Sequence, residues 1–180
     1  MTDPTAPIAT VLNDEGRLGL QYTRRLAHPP EKVWRALTES EHLVHWMPCD
    51  IVGERRAGAT LELPFWPSVV EQYPDDTPLL RGEILDWDPP RRFHWTWDGD
   101  VLLWELHPTD GGTVLTFTTW LGSEDPKVVT GAGAGYHVCL DLLAALLDGS
   151  PVEQGIASAD TTEWERRYGA AVEAAASPRR

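Results

Sequence analysis

A chain of 180 residues with 28 acids against 15 lysines and arginines carries a formal charge of −13, which argues against nucleic-acid backbones and anionic membrane surfaces as partners. Its basic residues cluster only in pairs: Arg24-Arg25, Arg55-Arg56, Arg91-Arg92, Arg166-Arg167 and Arg179-Arg180. Two cysteines, Cys49 and Cys139, are too few for a disulfide framework, and neither a secretory leader nor a membrane span is visible, so one cytoplasmic domain with free thiols is expected.

Residues 1–15, rich in Thr, Pro, Ala and acids, read as a flexible arm ahead of a folded body at 16–149. Leu18, Leu20 and Tyr22 alternate with Gly19, Gln21 and Thr23, which predicts a strand over 17–27 with one buried face. His28-Pro29-Pro30 stops it, because proline has no N–H to give the ladder. Pro30 then opens a helix over 30–37, since a first turn does not use that donor. Ser40 is the expected cap of a second short helix that reaches Trp46 and ends at Pro48.

Sheet follows. Residues 50–55 and 59–65 read as strands around Ala57-Gly58. Pro64, Pro67, Pro74 and Pro78 predict a loop over 66–78. Further strands are expected at 79–87 and 92–97, closed by Asp88-Pro89-Pro90 and Asp98-Gly99-Asp100. Residues 101–107 and 113–121 form a hairpin through Pro108-Thr109-Asp110-Gly111-Gly112. A helix over 127–147 sets Tyr136, Cys139, Leu140, Leu143, Leu146 and Leu147 on one apolar face, with Cys139 a small buried hydrophobe. Residues 150–180 hold a last amphipathic helix, about 160–175, and a frayed tail. Its Trp164, Tyr168 and Val172, four apart, suit packing on the chain's own sheet or on a second copy in a homodimer.

Most strands arrive in one run, so the fold class is α+β and not βαβ. Phe93, Trp95 and Trp97, then Leu102, Trp104 and Leu106, then Leu115, Phe117 and Thr119 share one face of the sheet. Arg92, His94, Thr96, Glu105, Thr116 and Thr118 share the other. One face is covered and one is wet, and the long helix supplies the matching apolar surface. Nine tryptophans suit either the walls of a pocket or a filled core, and the pattern leaves both open.

A resemblance enters at Arg25-Leu26-Ala27-His28-Pro29-Pro30-Glu31-Lys32-Val33-Trp34-Arg35-Ala36-Leu37-Thr38, with Trp46 following. It continues in Gly82-Glu83-Ile84-Leu85-Asp86-Trp87-Asp88-Pro89-Pro90-Arg91-Arg92-Phe93, Thr96-Trp97, Glu105-Leu106-His107-Pro108, Gly112-Thr113-Val114-Leu115-Thr116-Phe117 and Gly135-Tyr136-His137-Val138-Cys139-Leu140. These segments, over residues 17–149, resemble the SRPBCC superfamily with its START-like helix-grip fold, in the branch named after the activator of the heat-shock-90 ATPase. The resemblance implies a curved antiparallel sheet of six or seven strands wrapped round a long C-terminal helix, with two short helices after the first strand. It also implies a deep cavity for lipids, polyketides or other hydrophobic molecules. Tyr136 stands where the family more often has Trp, which would admit a hydroxyl to that cavity.

No catalytic constellation is read from the motifs. Among six histidines, at 28, 42, 45, 94, 107 and 137, His42 and His45 have a helical spacing that suits a metal, but no Cys or carboxylate motif accompanies them and a surface pair is expected. No Gly-x-Ser-x-Gly elbow occurs. Gly131-Ala132-Gly133-Ala134-Gly135 lacks the spacing and βαβ context of a phosphate loop, so the glycines are expected to let the helix approach its neighbours or to open a pocket mouth. Neither cofactor nor metal is expected. The reading is non-covalent binding of a small apolar or aromatic ligand, walled by Trp46, Trp95, Trp97, Trp104, Phe117, Tyr136 and Leu140, with Thr119 as a polar contact. Tyr136 and His137 are the side chains available for acid–base work if the pocket belongs to a cyclase, aromatase or hydrolase. Glu62 would join them only after a one-residue slip in register. The family's name adds a co-chaperone-like interaction role as a third reading.

Overall fold

Glu15 and Gly16 take positive φ angles of 52° and 98°, the backbone that a tight two-residue hairpin turn requires. They join β1 (Thr10–Asp14) to β2 (Arg17–Leu26), with Val11 opposite Leu20. Part of the expected arm is therefore an edge strand. The computed structural model describes residues 8–75, 78–150 and 159–176; the start of the arm and the expected frayed tail after Ala176 lie outside them.

After β2 come α1 (Pro30–Thr38) and the single turn α2 (Ser40–Leu43). Ser40 does not cap α2; its hydroxyl donates instead to Asp50 at 2.7 Å. Residues 50–55 are not a strand. Only isolated bridges form there, Cys49 to Phe65 and Val52 to Glu62. Gly53 turns the backbone to φ 151°, and the Arg55 guanidinium takes the Ile51 and Thr38 carbonyls, so this stretch spends its acceptors on a side chain. The next strand is β3 (Thr60–Leu63), where Leu61 and Leu63 are buried and Glu62 points outward. Glu62 is thus no pocket residue.

The expected loop 66–78 contains α3 (Pro67–Gln72). Pro67 lies in its first turn, where proline is tolerated, and the Trp66 indole holds the helix start to the Met47 carbonyl at 2.9 Å. The remaining strands are β4 (Leu80–Asp88), β5 (Arg92–Trp97), β6 (Asp100–Thr109) and β7 (Gly112–Trp120). All seven pair antiparallel in the order β1-β2-β7-β6-β5-β4-β3. They curve around α4 (Pro126–Leu147), which Asp125 caps by accepting from the Lys127 amide. This is the helix-grip arrangement. By length and composition alone α4 could cross a membrane, but half of its apolar window is buried inside this fold.

The last helix, α5 (Thr162–Ala176), packs on α4 and β1 of the same chain. Trp164, Tyr168 and Val172 are buried there. The Tyr168 hydroxyl accepts from the Ala9 amide at 2.9 Å, and Asn13 donates to the Ala175 carbonyl at 3.0 Å. Gly133 makes the docking fit. A Cβ at that position would lie 2.7 Å from the Tyr168 ring. Gly133→Ala should therefore cost about 1–2 kcal/mol in urea unfolding, although alanine favours a helix by about 1 kcal/mol. A stabilised variant would show that the Tyr168 ring has room to move.

Candidate functional site

Strand register sorts the inner face into rows. Phe93, Trp104, Phe117 and Tyr22 stand opposite one another across β5, β6, β7 and β2. Trp95, Leu102, Thr119 and Leu20 form the next row, and Trp97 with Asp100 belongs to the end row. The first row is packed solid. Trp104 stacks on Phe117 with ring centroids 3.8 Å apart, and Trp46 meets Trp104 edge-on at 5.8 Å. The Trp46 indole N–H is satisfied by the Ala36 carbonyl at 2.9 Å.

Among the described residues, space between the sheet and α4 lies at the end row. A cleft of about 490 Å³ opens there between the sheet and α4. Trp97, Leu80 and Pro48 wall one side, and Ala132, Gly135, Tyr136 and Cys139 wall the other, one stripe of α4. The rim is the Asp98–Asp100 turn with Gly122 and Ser123. Gly122 touches Gly99 so closely that a Cβ would sit 2.8 Å from the Gly99 carbonyl oxygen. Asp100 accepts from the Gly122 amide at 2.8 Å, which holds the rim in shape.

Of the predicted wall residues, Trp97 and Tyr136 line the cleft. Trp46, Trp95, Trp104, Phe117, Leu140 and Thr119 do not; each is at most 2% exposed. The expectation of a broad cavity walled by all of them is corrected: stacked aromatic rings fill the middle of the sheet and leave room at one end. Sequence reasoning missed Leu80, Asp98, Asp100, Ser123 and the lining role of Cys139. The Asp98-Gly99-Asp100 turn was legible, but which end of the helix it faced was not.

Polar groups near the cleft are unusually unpaired. The indole N–H groups of Trp95 and Trp97 and the hydroxyl of Thr119 are buried without a hydrogen-bond partner. Thr119 lies close enough to Tyr136 to favour its ionised form slightly, though no well-formed bond satisfies its own hydroxyl. Burial, then the Asp100 carboxylate, push the Tyr136 phenol well above its ordinary range, so it keeps its proton. Asp100 is itself raised, mainly by burial. Burial lifts the Cys139 thiol to about 12, and both cysteines are free and protonated at neutral pH.

His137 faces away from the cleft. Its ring is fully buried, stacked 3.6 Å from Trp164, and its Nδ1 lies 3.0 Å from the Tyr168 hydroxyl. Tyr136 and His137 therefore occupy different sides of α4 and do not form one acid–base pair. His42 lies 3.6 and 3.7 Å from the Glu39 and Glu41 carboxylates, in an exposed cluster of three. Of the three glycines, Gly133 admits Tyr168, Gly135 opens the cleft wall, and Gly131 meets nothing within 4 Å.

Residues 27–148 match the family model described as Activator of Hsp90 ATPase homolog 1-like protein. The chain belongs to this family. A conserved protein of unknown function from Enterococcus faecalis shares 18% identity, with 93% of this chain and 91% of that chain covered at a TM-score of 0.71. CalU16 from Micromonospora echinospora, in its solution structure, shares 20% identity over 97% of both chains, with a TM-score of 0.67. A protein from Mesorhizobium loti shares 24% identity over 74% of this chain and 98% of its own, with a TM-score of 0.61. These likenesses establish the helix-grip fold of the family member and nothing finer. Among curated proteins no match is found.

Proposed function

We propose that this family member binds a small hydrophobic or aromatic molecule in the cleft between Trp97 and Tyr136. The observation that carries the reading is the placement of two ring side chains and a side-chain-free Gly135 around about 490 Å³ of open space, in a core otherwise filled with aromatic rings. Flat apolar walls with few polar groups are what a small-molecule site offers. Two buried, unbridged thiols suit a reducing compartment such as the cytoplasm.

The test uses Nile red, a neutral solvatochromic dye, beside native mass spectrometry of protein taken from its host. Wild-type protein should shift the dye emission to the blue. Gly135→Phe should weaken that binding by about tenfold or more while the melting temperature holds, because a Cβ at Gly135 meets nothing within 4 Å. Unchanged dye binding in this variant, with no co-purified ligand, would move the binding site elsewhere or remove it.

A further inference from the structure

The cleft is apolar along its walls and acidic at its mouth. Asp98 and Asp100 both line it, and Gly99 between them puts no side chain in the way. The turn that carries them is held on both sides. The Asp98 amide donates to the Arg81 carbonyl at 2.9 Å, and one Asp100 carboxylate oxygen accepts from the Gly122 amide at 2.8 Å. Among the described residues neither carboxylate forms an ion pair. The charge of Asp100 reaches across the cleft, where it is second only to burial in holding the proton on the Tyr136 phenol.

The cations stand elsewhere. Among the described residues no lysine, arginine or histidine lines the cleft. Arg17 is near enough to temper Asp100, but its guanidinium lies over the Trp120 ring at 5.9 Å. Arg81 follows the lining residue Leu80 on β4, so its side chain belongs to the opposite face of the sheet. Lys127 lines the groove between α4 and α5, beside Glu165 and Glu173. Burial first, and then the neighbouring Asp98, disfavour the charged form of Asp100. A cation brought to the mouth would offset that cost, and a second anion would add to it.

The walls suit the same charge. Indole and phenol rings present a negative π face, which attracts a cation within about 6 Å of the ring centre. Trp97 and Tyr136 are such rings, on opposite sides of the opening. Resting on the reading of this cleft as a binding site, we propose that its guest is a protonated arylalkylamine. Its aromatic ring lies between Trp97 and Tyr136, and its ammonium group stays at the mouth, donating to the Asp98 and Asp100 carboxylates. Asp100 keeps an oxygen for it, since the Gly122 amide takes only the other. Aromatic carboxylates of the same size are turned away by the same pair of acids.

Three probes of one shape separate charge from fit: 2-naphthylmethylamine, protonated at neutral pH, the neutral 2-naphthylmethanol, and 2-naphthoate. In displacement of Nile red at low ionic strength the amine should bind about tenfold tighter than the alcohol, and naphthoate more weakly than either. Asp98→Asn combined with Asp100→Asn, which keeps an acceptor for the Gly122 amide, should cut the amine's advantage over the alcohol to about twofold. Glu31→Gln combined with Asp110→Asn removes the same charge from the far end of the sheet, where the β6–β7 turn meets the start of α1. There the advantage should stay near about tenfold, because overall acidity is not its source. Equal affinity for amine and alcohol, naphthoate binding tightest, or an advantage that the distant pair removes as fully as the cleft pair would overturn this inference while leaving the binding site standing. Failure of all three probes to displace bound Nile red would do the same. If Nile red and all three probes fail to bind, both readings fall.

Discussion

Trp104→Ala should lower stability by about 3–5 kcal/mol in urea unfolding, whereas Trp97→Ala should cost about 1–2 kcal/mol. The same ring is removed from the same face of the sheet in each case. What differs is what stands around it. Trp104 is 2% exposed, lies 3.8 Å from Phe117 across a stacked pair, and meets Trp46 edge-on. Truncation there leaves a closed void among rigid rings that cannot collapse into it. Trp97 already borders open space, so part of its loss merely enlarges a cleft that water can enter. The contrast also has a functional readout: Trp97→Ala should weaken Nile red binding by about tenfold by removing a wall. Equal destabilisation by the two substitutions would mean that Trp97 plugs the core, and the cleft would lose its claim to a guest.

Acid should loosen the junction of α4 and α5 through His137. The Arg24 guanidinium faces Nε2 at 3.4 Å and can only donate, so Nε2 must be an acceptor. Nδ1 then carries the proton and donates to the Tyr168 hydroxyl oxygen. That oxygen also receives the Ala9 amide, while Tyr22 donates to the Gly133 carbonyl at 2.8 Å. A second proton on the imidazole would have to sit against Arg24, with Arg167 nearby. Burial first, then these two cations, push its pKa from 6.5 down to about 3.

An unfolded histidine takes up its proton near 6.5 and the folded one near 3, so between these values the unfolded chain binds more protons. This contribution is fully present above pH 6.5 and drains away as pH falls toward 3. Over the whole of that span it amounts to something on the order of 5 kcal/mol. Asp141, 3.8 Å from His137 and raised by burial, opposes it above the ordinary carboxylate range. The clean measurement is therefore a difference: unfolding free energy at pH 7 and pH 4 for wild type and for His137→Gln. Wild type should lose about 2–3 kcal/mol more than the variant over that range. An NMR titration that finds His137 protonating near pH 6.5 in the folded protein would refute this account.

The elements that sequence reasoning placed well share a cause. Phe93, Trp95 and Trp97 alternate without interruption, and so do Leu102, Trp104 and Leu106, because each strand turns one face into the core. Where reading failed, a distant partner overrode the local signal. Thr10–Asp14 became a strand because β2 offered an edge and α5 a roof. Residues 50–55 lost strand character because Arg55 reached back to Ile51 and Thr38. Prolines around 66–78 suggested a loop, yet Pro67 fell where a helix begins. Tyr136 and His137 were each candidates for the pocket; on a helix, neighbours point about 100° apart, and of the two only Tyr136 lines the cleft.

The chain alone determined its α+β class, its covered and wet sheet faces, its long apolar helix and its family, because periodicity and motif order are properties of the chain. Whether the indoles line a space or fill it was decided only by tertiary structure. That outcome depends on how rings from different strands and from α1–α2 meet across the sheet, and no local pattern carries those distances. The same holds for the unmet donors of Trp95, Trp97 and Thr119. A hydrogen bond left unmade is a fact about three-dimensional neighbours, and it becomes legible only when every candidate partner has a position.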